Sequence, residues 1–171
     1  MNRAIDVAYF VINYANDHKY NISNLKLQKL LYYIQAAFLL KSEGKELCFS
    51  DRINAWLHGP VVETVYYSFS KFGGKPIPKQ NYVEKVVLKD RKLVLVNQLF
   101  AYEILAERDR KIVENVLDQL LRYEAWDLVN RTHEEDPWKS TKPDEEITPE
   151  CIYAYFRKAK NGGRIYGNFN M

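Results

Sequence analysis

The chain has 171 residues, 47% hydrophobic and 27% charged, with 25 basic and 22 acidic side chains for a net charge of +3. That balance excludes a disordered chain, and seven glycines exclude a collagen or a Gly-rich linker. The length fits one domain, large enough to bury a core of its own.

Taken in chain order, Ile5, Ala8, Tyr9, Ile12 and Ala15 recur at helical spacing and predict an amphipathic helix over 3–17. Asn16, Asp17, His18 and Asn21 make a polar break. Ser23 is placed to cap a second helix, which Gly44 would stop, with Leu27, Leu30, Leu31, Ile34 and Phe38 as its core stripe. Residues 47–57 hold short apolar pieces that suit short strands or irregular chain. Pro60 fits the first position of a third helix, over about 60–72, ended by Gly73-Gly74. Pro76 and Pro78 mark a loop. Two β-branched runs, Tyr82 to Leu88 and Leu93 to Val96, flank Lys89-Asp90-Arg91-Lys92 and predict a β-hairpin with a four-residue loop. Helices are expected at about 103–121 and 124–131, then an acidic, Pro-containing loop over 133–147. Thr148-Pro149 opens a last helix, which Gly162-Gly163 would close, with Arg157, Lys158 and Lys160 in its final turn. The sum is a mainly α chain: a single compact helical domain over 1–160 with a small β-hairpin, and a loose tail over 161–171.

Several function classes find no support. No phosphate-binding Gly-rich loop, nucleophile elbow or H-E-x-x-H occurs, and His18, His58 and His133 are far apart in sequence. Nine residues separate Cys48 from His58, which matches no common zinc spacing. Catalytic residues, metal ligands and cofactors are therefore all expected to be none. The best enzymatic alternative is a hydrolase built on His133 and its neighbours Glu134, Glu135 and Asp136. Two cysteines make no disulfide framework and no signal sequence is apparent, so a cytoplasmic location is expected. The longest apolar stretch, Leu30 to Leu40, is too short to span a membrane. Residues 134–150 carry seven acidic against two basic side chains, followed by the basic Arg157, Lys158, Lys160 and Arg164. Four cations beside an acidic run are a weak nucleic-acid signal, so no specific duplex binding is expected of the isolated chain.

Interaction signals are stronger. Gln28, Tyr32 and Gln35 fall on one helical stripe, made of amides and a phenol rather than aliphatic groups. The stripe reads as an internal polar seam, or as a face that shapes a partner surface. In Ala55-Trp56-Leu57-His58-Gly59-Pro60-Val61, Gly59 allows a tight turn and Trp56 anchors a rigid corner. Trp138 follows Pro137 in the acidic loop beside His133, where a Trp serves as an anchor or an interface hot spot. The candidate partner-binding residues are thus Gln28, Tyr32, Gln35, Trp56, His58, Gly59, Pro60, His133 and Trp138. Thirteen tyrosines suit surfaces that are both apolar and polar.

These blocks stand in a telling order: K-L-Q-K-L-L-Y-Y (Lys26 to Tyr33), A-W-x-H-G-P-V (Ala55 to Val61), Tyr66 and Phe69, Tyr123-x-x-Trp126-x-Leu128, T-H-x-x-x-P-W (Thr132 to Trp138), and Tyr155-Phe156. Over residues 4–157 the chain resembles the Panacea antitoxin domain family, the SocA-like or GepA-like phage-associated proteins. That family carries tyrosine as often as histidine before Gly-Pro, so His58 is given no unique chemical role. The resemblance implies a non-enzymatic, mostly helical domain of phages, prophages and bacterial defence loci. It implies a cognate toxin as the partner, neutralised by direct binding. The alternative it implies is an adaptor that delivers its partner to a protease.

Overall fold

The computed structural model describes residues 1–89 and 91–166. Its organising element is the second helix. α1 spans Ala4–Asp17 and α2 spans Asn24–Lys41, where the Ser23 hydroxyl accepts from the Lys26 amide at 3.3 Å as the cap chemistry requires. α2 ends three residues before Gly44, whose amide returns to the Leu39 carbonyl at 2.7 Å with φ +83.

The expected core stripe of α2 is buried, and so is nearly every other residue from Asn24 to Leu39. A helix covered on every side sits inside the domain. The remaining elements wrap it: β1 (Asn54–Trp56), β2 (Gly59–Val61), α3 (Glu63–Phe69), α4 (Glu107–Leu120), α5 (Ala125–His133), α6 (Asp136–Lys139), α7 (Pro149–Phe156) and α8 (Ala159–Tyr166). Short 3-10 turns follow α3 at Ser70–Phe72 and precede α4 at Tyr102–Ile104. The chain is thus mainly α with two small antiparallel hairpins. Among the described residues no helix is long and apolar enough to cross a membrane.

Four local expectations are corrected. Pro60 does not open α3; it pairs with Ala55 in the β1–β2 ladder, and α3 starts at Glu63. A proline fits a two-stranded ladder because it has an outer edge that needs no donor. The acidic stretch after His133 is not an open loop. It contains α6, and its far end runs beside β1, with Ala55 donating to Glu145 and Ile147 donating to Ile53. The last helix is split, since α7 ends at Phe156 and α8 continues through Gly162-Gly163. The expected tail beyond Tyr166 lies outside the described residues.

The fourth correction concerns the long hairpin, β3 (Tyr82–Lys89) and β4 (Lys92–Leu99). Its ladder runs from Tyr82↔Leu99 to Lys89↔Lys92, so pairing continues into the expected four-residue loop; Asp90 lies outside the described residues.

Candidate functional site

The polar side chains of α2 act as tethers for the chain around it. Gln35 receives the Cys48 and Phe49 amides on its carbonyl oxygen and donates to the Phe49 carbonyl. Gln28 accepts from the Val62 amide at 2.9 Å and donates to Asn24, which in turn donates to the Tyr66 carbonyl. Lys29 donates to the Pro60 carbonyl at 2.9 Å, and Lys26 to the Leu121 carbonyl at 2.7 Å. The Tyr32 and Tyr33 hydroxyls each donate to Glu135 at 3.0 Å. All of these side chains are buried, so each bond satisfies a group that would otherwise be desolvated without a partner.

Gln28, Tyr32 and Gln35 therefore offer no face to a partner. They are the internal seam, and their work is to fix the 48–49 and 60–62 segments. Tyr32→Ala and Gln35→Ala are therefore expected to lower function only in step with stability, which a melting curve and a rescue assay on the same variants check.

What the seam fixes is the corner at residues 56–60. Gly59 has φ +97, a region that glycine alone enters freely. A Cβ there would sit 2.7 Å from the Thr132 hydroxyl and 2.9 Å from Cε of Lys29. The corner is thus pressed against α5 and α2 at the same point. Trp56 packs edge-on against Tyr66 at 5.0 Å and Tyr67 at 6.2 Å, and its carbonyl accepts from the Trp138 indole at 2.9 Å. Trp138 stacks on His133 with centroids 3.9 Å apart. Trp56 and Trp138 are both half-buried.

Outside this frame lies an aromatic surface. His58 is exposed at the turn and meets the ring of Trp126 edge-on at 5.3 Å. Leu57 is 79% exposed, Tyr67 63% and Trp126 57%. Trp126 and Tyr67 were not singled out from the sequence as contact residues. Their amphipathic helices suggest burial, and only packing shows them outside.

The electrostatics of the frame are unusual. Lys29 is wholly buried, and burial lowers its ammonium from an ordinary 10.5 to about 7. Burial, and then the charge of Glu135, raise both Tyr32 and Tyr33, which stay protonated donors. Burial, and then the charge of Lys29, lower His133, whose ring bonds to the Leu57 backbone. Its Nε2 is buried with no hydrogen-bond partner among the described residues. The carboxylate oxygens of Glu135 accept from the two tyrosines, Oε2 from Tyr32 and Oε1 from Tyr33. Among the described residues no group of three or more His, Cys, Asp or Glu is placed to hold a metal ion. Lys158 and Lys160 share a hollow with Glu134, Asp136, Tyr155 and Asn161, so these two cations of the basic cluster face acids.

The lowered Lys29 gives a pH prediction. The unfolded chain holds that proton up to about pH 10.4, whereas the folded chain releases it near 7. Stability then rises with pH, by about 2 kcal/mol between about pH 7 and 9, because the unfolded state binds more protons there. Urea titrations across that window check this rise, and Lys29→Met abolishes it.

Comparison with known proteins adds a lineage to this geometry. The model of the family "Antitoxin SocA-like, Panacea domain" matches residues 27–139, a span that holds the seam, the corner, the long hairpin and Trp138. Antitoxin SocA of Caulobacter vibrioides (strain NA1000 / CB15N) is 34% identical over 121 residues, covering 68% of this chain. The chain spans 58% of the length of that curated relative. No solved structure matches the chain.

Proposed function

The chain belongs to the SocA-like Panacea antitoxin family, and from that premise we propose that it neutralises a cognate toxin protein by binding it directly through the aromatic corner. One observation carries the choice of surface: Leu57 and His58 are presented to solvent on a turn locked by Gln28, Lys29 and Gly59, with the exposed Trp126 of α5 against His58 and Tyr67 of α3 against Trp56. Interface cores are rich in aromatic side chains and poor in charge, and a pre-ordered turn reduces the entropy lost on binding. His58 contributes ring surface here, with no proton-transfer role.

The chemistry proposed is recognition alone, with no cofactor and no turnover. Trp138 and His133 support the corner from behind, and Glu135 with Tyr32 and Tyr33 hold the start of α6 against α2. The toxin candidate is the product of the reading frame adjacent to this one. It should arrest growth when expressed alone and be rescued by this chain. Trp126→Ala and Leu57→Asp should each weaken the complex about 30-fold, the scale of an interface hot spot near 2 kcal/mol. Both side chains are exposed, so the melting temperature should stay within about 3 °C of the parent. Loss of rescue that merely follows loss of stability across both variants would place the interface elsewhere.

A further inference from the structure

The second exposed apolar surface is on the long hairpin, and nothing in the corner accounts for it. Cross-strand partners share a face, so Tyr82, Val86 and Leu88 lie beside Leu99, Leu95 and Leu93 on one side of the ribbon, with the Glu84–Asn97 pair between Tyr82 and Val86. All six apolar side chains are between 57% and 77% exposed. Together they offer on the order of several hundred Å², the scale at which an apolar patch marks an interaction site.

The root of the ribbon is well anchored. Val83 is buried, Asn13 exchanges two hydrogen bonds with the Gln80 backbone, and Phe100 packs on Tyr102, which packs on Phe10. Beyond that root, among the described residues, β3 and β4 pair only with each other, leaving two open edges. A lone two-stranded ribbon is marginal in water and gains stability when its apolar face is covered.

Charge selects what covers it. Lys85, Lys89 and Lys92 lie on the reverse face with Val87, Val94 and Val96, and Arg91 at the tip, while Glu84 lies on the apolar face itself. Lys89, Arg91 and Lys92 end the ribbon next to Leu88 and Leu93, so the distal end of the apolar face is bordered by positive charge. Two copies laid face to face with their tips aligned would bring like charges together. An apolar surface bordered by Asp and Glu is the complement.

We propose that the Tyr82–Leu99 hairpin is a second docking arm, whose Tyr82, Val86, Leu88, Leu93, Leu95 and Leu99 face covers an acid-rimmed apolar surface of the toxin. This rests on the antitoxin reading above, and it adds a contact separate from the corner. The arm gives the partner main-chain edges as well as side chains, so a strand or an amphipathic helix of the toxin fits it.

The test uses the full chain and the purified adjacent-frame protein. The variant Leu88→Thr/Leu93→Thr/Leu95→Thr keeps strand propensity while removing the apolar face. It should weaken the complex at least 30-fold with an unchanged melting temperature. Lys89→Glu/Lys92→Glu should weaken it also, and should flatten its dependence on salt. The unbound chain should sediment as a monomer throughout. Parental affinity in the threonine variant, with binding still lost in Trp126→Ala, would overturn the arm and leave the corner standing. Tighter binding after charge reversal would overturn it too. So would a dimer of the free chain that the threonine substitutions dissolve, since the occupant would then be a second copy. Absence of any complex with the parent chain would overturn the arm together with the antitoxin reading.

Discussion

Replacing Glu135 with alanine is expected to remove about 3–5 kcal/mol of folding stability, the largest single effect foreseen for a charged residue here. The carboxylate is completely buried and accepts from two buried tyrosine hydroxyls. Hydrogen bonds to an ionised acceptor are stronger than neutral ones. Without Glu135 both hydroxyls lose that acceptor in a place water does not reach, at about 1–3 kcal/mol each, and a cavity is left between α2 and α6. Urea unfolding reads this directly. A cycle with Tyr33→Phe should show coupling of about 1 kcal/mol or more, because the two groups share one bond. Additive losses would mean that the Tyr33–Glu135 bond contributes nothing to stability.

Gly59→Ala is expected to cost about 3 kcal/mol or more and to abolish rescue of the toxin. Two penalties combine at one atom. An L side chain at φ +97 is strained by about 1–3 kcal/mol, and the added carbon overlaps Thr132 and Lys29. Thr132 is a short side chain bonded to the Val129 carbonyl, and Lys29 is tied to Pro60, so neither yields easily. The strain is relieved by moving the 57–60 turn outward, which carries Leu57 and His58 away from Trp126. Rescue should therefore fall further in Gly59→Ala than in an equally destabilised core variant such as Ile34→Val combined with Leu31→Ala. The comparison at matched melting temperature checks it.

Much of this architecture could be read from the residues. The helical spacing of Leu27, Leu30, Leu31, Ile34 and Phe38 marks the core face of α2, and Ser23 and Gly44 mark its ends. The β-branched runs around residue 90 mark the long hairpin, and Thr148-Pro149 marks the start of α7. These signals are local, and local chemistry decides them. The buried charges were not legible. Lys26, Lys29 and Glu135 sit in sequence runs that look solvated, and only the closing of β2, α4, α5 and α6 around α2 removes them from water. Pro60 shows the same limit. Its ring suits a helix start or a ladder edge equally, and the choice falls to the Gln28 and Lys29 side chains bonded on either side of Val61. The seam was legible as polar, and its facing was not, because Tyr32 finds its acceptor more than a hundred residues away.

The measurement that bears most directly on the proposed mechanism is calorimetric titration of this chain into the purified adjacent-frame protein, with no third component. Direct neutralisation predicts a saturable complex of the two pure proteins, weakened about 30-fold by Trp126→Ala and unaffected by added nucleotide or protease. Rescue of growth in cells without any complex between the two pure proteins would contradict it. Neutralisation would then depend on a further partner, as in delivery to a protease.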